Sequence, residues 1–147
     1  MRDVTIYTDG ACSGNPGIGG WCAILMCEDR EKILSGYNKQ TTNNRMELFA
    51  VIEGLAELRV SCKVKIYSDS AYVVNAINEK WLESWEKNNW RSKSKDDVKN
   101  VDLWKKLLIE MSKHEVTFIK VKGHSDNEFN NKCDEIARSE IKKASSI

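Results

Sequence analysis

Apolar and polar residues alternate through the first forty positions of the chain, and the spacing then turns helical. VTIYTDG (4–10), WCAILMC (21–27) and KILSGYN (32–38) read as three strands, the last two joined by the charged turn EDRE. Between the first two lies ACSGNPGIGG, rich in turn residues and holding the chain's only proline. An antiparallel meander is expected. From Asn44 the period changes, and Leu48, Val51, Ile52, Leu55 and Leu58 fall on one face of a helix. VKIYS (64–68) predicts a fourth strand, and SAYVVNAINEKWLESWEKN predicts helix, in one piece or two. Val98, Val101, Trp104, Leu107, Leu108 and Met111 mark another helical face. VTFIKVK (116–122) is a fifth strand, and Cys133, Ile136, Ala137, Ile141 and Ala144 mark a final helix. The order βββαβααβα, with the middle helices free to split, predicts an α/β fold. Its five-stranded mixed sheet has three antiparallel strands, then parallel crossovers, and helices flank it.

Two of these strands carry nearly the same phrase, VTIYTD at 4–9 and VKIYSD at 64–69, and each ends on an acid. Aspartate is among the residues strands favour least. If the two strands lie side by side and parallel, Asp9 and Asp69 arrive at one end of the sheet on one face. Two carboxylates at that range repel unless a cation sits between them, and magnesium favours such oxygen ligands. Each acid also has a structural reading. Asp9 could start a turn before Gly10, and Asp69 or Ser70 could cap the next helix. Glu47 lies just before the apolar stripe, in the first turn of its helix, where Asn44 and Glu47 have capping-box spacing. Asp134 opens the last helix beside Cys133 and Ile136, an ordinary place for an acid.

Composition narrows the field. The 147 residues make one domain, 1–147, and their 41% hydrophobic content includes no run long enough for a membrane span. The chain reads straight into a strand, so no signal peptide and a cytoplasmic location are expected. Five cysteines form no CxxC pair, and the odd number favours reduced thiols. With a net charge of +1, any nucleic-acid surface must be local. KNNWRSKSK (87–95) is such a place, with four basic residues, no acid, and Trp81, Trp85 and Trp90 in or beside it.

Taken in order, TDGACSGNPGIGGW, NNRMEL, YSDSAYVV, VKNVDLW and KGHSDNEFNNKCDEIA resemble the type 1 ribonuclease H family, in its bacterial ribonuclease HI branch. The resemblance runs from Val4 to Ala137. It implies the fold read above and an endonuclease that hydrolyses the RNA strand of RNA–DNA hybrids, leaving 5′-phosphate and 3′-hydroxyl ends. Removal of RNA primers and R-loops follows from that activity. By the same resemblance Asp9, Glu47, Asp69 and Asp134 are catalytic carboxylates holding two Mg2+ ions once substrate is present, with Mn2+ as a substitute. Asp9 is the bridging ligand, and His124 carries protons or aids product release. Cys12, Asn15, Asn43 and Asn44 line the minor groove. A basic protrusion at about 81–98, with Trp81, Trp85, Trp90, Arg91, Lys93 and Lys95, grips the DNA strand. The implied enzyme is a monomer whose partner is the hybrid duplex, with no membrane involved.

Two departures stand out. Ala71 replaces the glutamine usual after the Asp-Ser of the fourth strand, removing one minor-groove contact. Asp126 stands where relatives often have glycine, and adds a carboxylate near the site. Rival classes fit less well. A hybrid-binding module without catalysis predicts a lost acid, and all four are present. A resolvase or integrase of the same fold lacks the CSGNPG loop together with the protrusion. An aspartyl-nucleophile phosphatase needs a second acid two residues after the first, where this chain has Ala11.

Overall fold

The computed structural model describes residues 1–92, 96–122 and 127–146. Three long strands open it: β1 (Arg2–Ser13), β2 (Gly17–Cys27) and β3 (Arg30–Thr41). Helix α1 (Asn43–Ala56) leads to β4 (Cys62–Ser68), followed by α2 (Ala71–Asn78), α3 (Trp81–Lys87) and α4 (Val101–Met111). Strand β5 (Glu115–Lys120) and helix α5 (Glu128–Ser145) complete it. The sheet order is β3-β2-β1-β4-β5, with β1 antiparallel to β2 and parallel to β4. Strand β5 extends the parallel half.

The expected mixed sheet is therefore present, and the middle helical segment takes the split form. Its break falls at Lys80, whose left-handed backbone (φ 61°) ends one helical path and starts another. Three helices thus stand between β4 and β5, giving βββαβαααβα. Strands β1 and β2 also run deep into ACSGNPGIGG, leaving only Gly14–Pro16 between them. The glycines there serve close packing as much as turning. A Cβ on Gly20 would lie 2.1 Å from the Ala137 carbonyl oxygen, so α5 sits directly on the β2 backbone.

Strand alternation sends the two faces to separate layers. Val4 and Ile6 of β1, with Val64 and Ile66 of β4, pack against α1, α2 and α4 through Leu48, Val51, Leu55, Val73, Trp104 and Leu107. The opposite face of β2 buries Cys22 and Ile24 under Cys133 and Ala137 of α5, with Tyr7 and Phe129 at the margin. Cys133 is fully buried, and its thiol donates to the Tyr7 and Cys22 carbonyls at 3.2 and 3.6 Å. Its contact with the Cys22 side chain, then burial, push its pKa up, so it is a packed neutral thiol. All five cysteines are free, as expected.

Candidate active site

The twin phrases pair in register. Val4 lies opposite Val64, Ile6 opposite Ile66 and Tyr7 opposite Tyr67, with the two tyrosine rings stacked at 5.2 Å. Parallel pairing in that register delivers Asp9 and Asp69 to the same end of the sheet. Glu47 joins them from α1. Asp9, Glu47 and Asp69 each offer a carboxylate oxygen within 4.8 Å of the others. Asp9 and Glu47 are only 6% and 4% exposed.

Helix α1 reaches this point because β1 has no side chain at position 10. A Cβ on Gly10 would stand 2.5 Å from the backbone nitrogen of Glu47, so strand and helix touch backbone to backbone. The Gly10 N–H donates to the carboxylates of both Asp9, at 2.9 Å, and Glu47. That amide was not foreseen from sequence. Its only signal was a glycine directly after an acidic strand end.

Each structural alternative for the triad fails on local geometry. Asp9 is inside β1, which continues to Ser13, and so starts no turn. Ser70 caps α2, its hydroxyl accepting from Val73 N–H at 3.2 Å, which leaves Asp69 without a capping task. Helix α1 is capped by Thr42, whose hydroxyl accepts from Arg45 N–H at 3.3 Å. Asn44 and Glu47 therefore form no capping box, and Glu47 lies beyond the first turn of its helix.

Burial and mutual repulsion raise the proton affinity of this cluster. Burial, then the neighbouring Asp69 charge, pushes Asp9 up to about 7. Burial first, then Asp9 and Asp69, holds Glu47 well above the ordinary carboxylate range. Buried acids packed at this density fit a divalent cation, and an all-oxygen donor set suits a hard ion.

The other expected residues fall in three groups. Asp134 is well inside α5 rather than at its start, and its carboxylate meets Arg138 at 2.7 Å instead of joining the triad. Its charge is still felt at Asp9. Around the β1–β2 turn, the Asn15 side-chain oxygen accepts from Asn43 N–H at 3.0 Å, and the Cys12 thiol donates to the Thr41 carbonyl at 3.5 Å. That turn and the start of α1, with Asn44 exposed beside it, thus form one surface. Third is the protrusion. Trp81 is 45% exposed, whereas Trp85 and Trp90 are half-buried against the core. Trp85 stands edge-on to Trp104 at 5.7 Å, and Lys105 sits 5.8 Å from the Trp90 ring centre. Arg91 is exposed and bridges to Asp97. Lys93, Lys95, His124 and Asp126 lie outside the described residues.

The RNase H family model matches residues 1–142. The chain belongs to the ribonuclease H family. A ribonuclease H of Caldicellulosiruptor saccharolyticus is 60% identical over 142 residues, which cover 97% of this chain and 98% of that protein. A ribonuclease H of Chlorobium limicola is 61% identical, over 96% and 97% of the two chains. Among solved structures, LC9-RNase H1, a type 1 RNase H with the type 2 active-site motif, superimposes with a TM-score of 0.84. It is 25% identical, over 95% of this chain and 72% of that one. LC11-RNase H1 in complex with RNA/DNA hybrid is 24% identical with a TM-score of 0.75, and shares the fold over 96% and 98% of the two chains. The ribonuclease H family is divalent-metal dependent, and the Asp9–Glu47–Asp69 cluster is where this member has oxygen ligands to offer.

Proposed function

We propose that the chain is an endoribonuclease, a single domain over 1–147, that hydrolyses the RNA strand of RNA–DNA hybrids at the Asp9–Glu47–Asp69 cluster. The observation that carries this reading is the gathering of three carboxylates, two of them buried, at one end of a parallel strand pair. Asp9, Glu47, Asp69 and Asp134 are the residues that would hold two magnesium ions once substrate is bound, with manganese as a substitute, and Asp9 would be the ligand common to both. Ions held there would supply electrostatic stabilisation of the charge that builds on the phosphate and the leaving 3′-oxygen, and the products expected are 5′-phosphate and 3′-hydroxyl ends.

The protein's own groups prepare that chemistry. Gly10 N–H fixes one oxygen each of Asp9 and Glu47, so the acids are oriented before any ion arrives. Asp134 must leave Arg138 to add a fourth carboxylate, and the exposed end of that ion pair makes the exchange inexpensive. His124, which lies outside the described residues, acts as an auxiliary proton carrier.

Choice of substrate rests on the surface formed by Cys12, Asn15, Asn43 and Asn44. RNA is told from DNA by its 2′-hydroxyl, which both donates and accepts, and amide side chains match it in both senses. The DNA strand is held by Trp81, Trp85, Trp90, Arg91, Lys93 and Lys95. The enzyme works as a monomer in the cytoplasm on RNA primers and R-loops, and no helix among the described residues is long and apolar enough to cross a membrane.

One gel tests the reading. Labelled hybrid, single-stranded RNA, duplex RNA and duplex DNA are each incubated with magnesium or with EDTA. Cleavage confined to the RNA of the hybrid, and only with magnesium, is expected. Equal cutting of duplex RNA, or activity in EDTA, would overturn it.

A further inference from the structure

Three sequence motifs that lie apart in the chain meet at one polar node, which the chemistry above leaves unused. Arg45, from NNRMEL, is in the first turn of α1, two residues before Glu47. Its guanidinium forks onto Asp102 at the start of α4, donating from Nη1 to Oδ1 at 3.0 Å and from Nη2 to Oδ2 at 2.8 Å. The same Nη1 donates to the Asn100 side-chain oxygen at 3.3 Å. The Asn100 amide in turn donates to the Tyr72 hydroxyl at 3.0 Å, and that hydroxyl also accepts from Trp104 Nε1 at 3.1 Å. Asn100, Asp102 and Trp104 belong to VKNVDLW, and Tyr72 to YSDSAYVV, three residues after Asp69.

Asn100 is unusual in this position. It sits at the N-terminal boundary of α4 yet makes no side-chain cap there, and its backbone is left-handed at φ 62°. Four of the five non-glycine residues with positive φ among the described residues, Lys80, Asn89, Trp90 and Asn100, lie within or at the borders of the protrusion. Such conformations persist where surrounding contacts over-determine them. Here the contacts fasten both roots of the protrusion. Trp104 is fully buried, tilted against Tyr72 at 5.4 Å and edge-on to Trp85 of α3 at 5.7 Å. The outgoing root is held by Asn100 and Asp102. The elements at the other end of the node carry Glu47 and follow Asp69.

We propose that Arg45, Asn100 and Tyr72 are positioning residues that fix the duplex-gripping protrusion at a set distance and angle from the carboxylate cluster. They thereby determine which phosphate of a gripped hybrid reaches that cluster. This rests on the functional reading above. A planar, bidentate guanidinium resists rotation of α4 against α1 in a way that a lysine ammonium does not. Loosening the node leaves the gripping groups in place, so a hybrid still binds but presents its phosphates out of alignment.

The test uses the full chain with Arg45→Lys and, separately, Tyr72→Phe, on an end-labelled hybrid of defined sequence. Both variants should lower kcat by roughly tenfold while KM stays within about twofold, because misplacement penalises the transition state more than ground-state binding. Cleavage should also spread from the wild-type positions onto neighbouring phosphates, which a merely structural role would not produce. Tyr72→Phe keeps its ring against Trp104 and decides the matter if Arg45→Lys does not fold. Wild-type kcat with an unchanged cleavage pattern overturns the inference, as does a rise in KM alone. A wild-type chain that leaves hybrid intact is a separate outcome and removes the functional reading itself.

Discussion

The carboxylate cluster and the protrusion use charge in opposite ways. At the cluster, charges of one sign are gathered from β1, α1 and the end of β4, and two of the three are buried. The sequence of 81–98 carries four cations and four acids, Glu83, Glu86, Asp96 and Asp97, and its described residues are largely exposed. Arg91 spends part of its charge on Asp97 at 4.0 Å, and Lys87 spends part of its own on Glu83 at 3.7 Å. The first region stores repulsion that a divalent cation relieves. The second holds cations in loose pairs that a phosphate can replace at little cost. Under the proposed function, reaction chemistry belongs to the repulsive cluster and adhesion to the balanced stretch.

Removing an acid should break this contrast most sharply. Asp9→Asn or Asp69→Asn is expected to reduce magnesium-dependent hybrid cleavage at least ~10³-fold, an electrostatic loss of several kcal/mol in the transition state. Circular dichroism should show an unchanged fold. Near-normal turnover in either variant would falsify the strand-end site.

His124→Ala should slow turnover on the order of 10²-fold yet leave measurable cleavage, as loss of a proton carrier does when the carboxylates and their ions remain. The measurement is kcat against pH. An unchanged rate would leave His124 without a task. Complete loss with metal binding intact would make it indispensable.

The protrusion predicts the reverse kinetic signature. Joint replacement of Arg91, Lys93 and Lys95 by alanine should raise KM with little change in the rate at saturating hybrid. On an Asp9→Asn background, log affinity against log salt should flatten by about one unit per lost phosphate contact. Equal slopes for parent and triple variant would show that this run does not touch the duplex.

The smallest expected effect is on stability, and its sign follows from the raised proton affinity. A carboxyl whose folded pKa is about 7 rather than 3.8 favours folding while protonated, and loses that advantage as pH climbs through the interval between the two values. Metal-free protein should therefore lose on the order of 1–3 kcal/mol from this cluster between pH 4 and pH 7. Urea unfolding in EDTA reads it. Asp9→Asn should flatten the profile and be at least as stable as the parent at pH 8, and magnesium should restore more stability at pH 8 than at pH 5. A parent that grows more stable over that interval through this cluster would contradict the picture.

What could be read in the sequence, and what could not, divides along similar lines. The twin phrases were legible because parallel pairing in register copies a linear pattern directly into space, so Asp9 and Asp69 could be placed by alternation alone. Glu47 could not. Its place depends on the α1 backbone touching Gly10, a contact that no period encodes, and its spacing from Asn44 pointed to a capping box that Thr42 displaces. A split of the middle helical segment was allowed for, but its position was hidden because a lysine, with neither glycine nor proline nearby to announce it, adopts the left-handed turn. The tryptophans group by their place in or beside the basic run, and packing separates exposed Trp81 from Trp85 and Trp90, which are half-buried against the core. Asp134 looked like a helix opener, because the Asn127 cap that starts α5 more than a turn earlier lies in a polar run of sequence with no apolar period.

The pairing of β1 with β4 has a consequence for how the molecule tolerates change. Asp9 and Asp69 are placed by counting residues along their strands, and Glu47 by contact. Inserting or deleting one residue within 4–9 or 64–69 would turn one aspartate to the opposite layer and silence the site at a stroke. Added or lost residues in the 28–29 turn, or in the 57–61 link after α1, leave both counts intact. Length changes compatible with the site are therefore those in the connections, while the two six-residue phrases must keep their length even if their letters change.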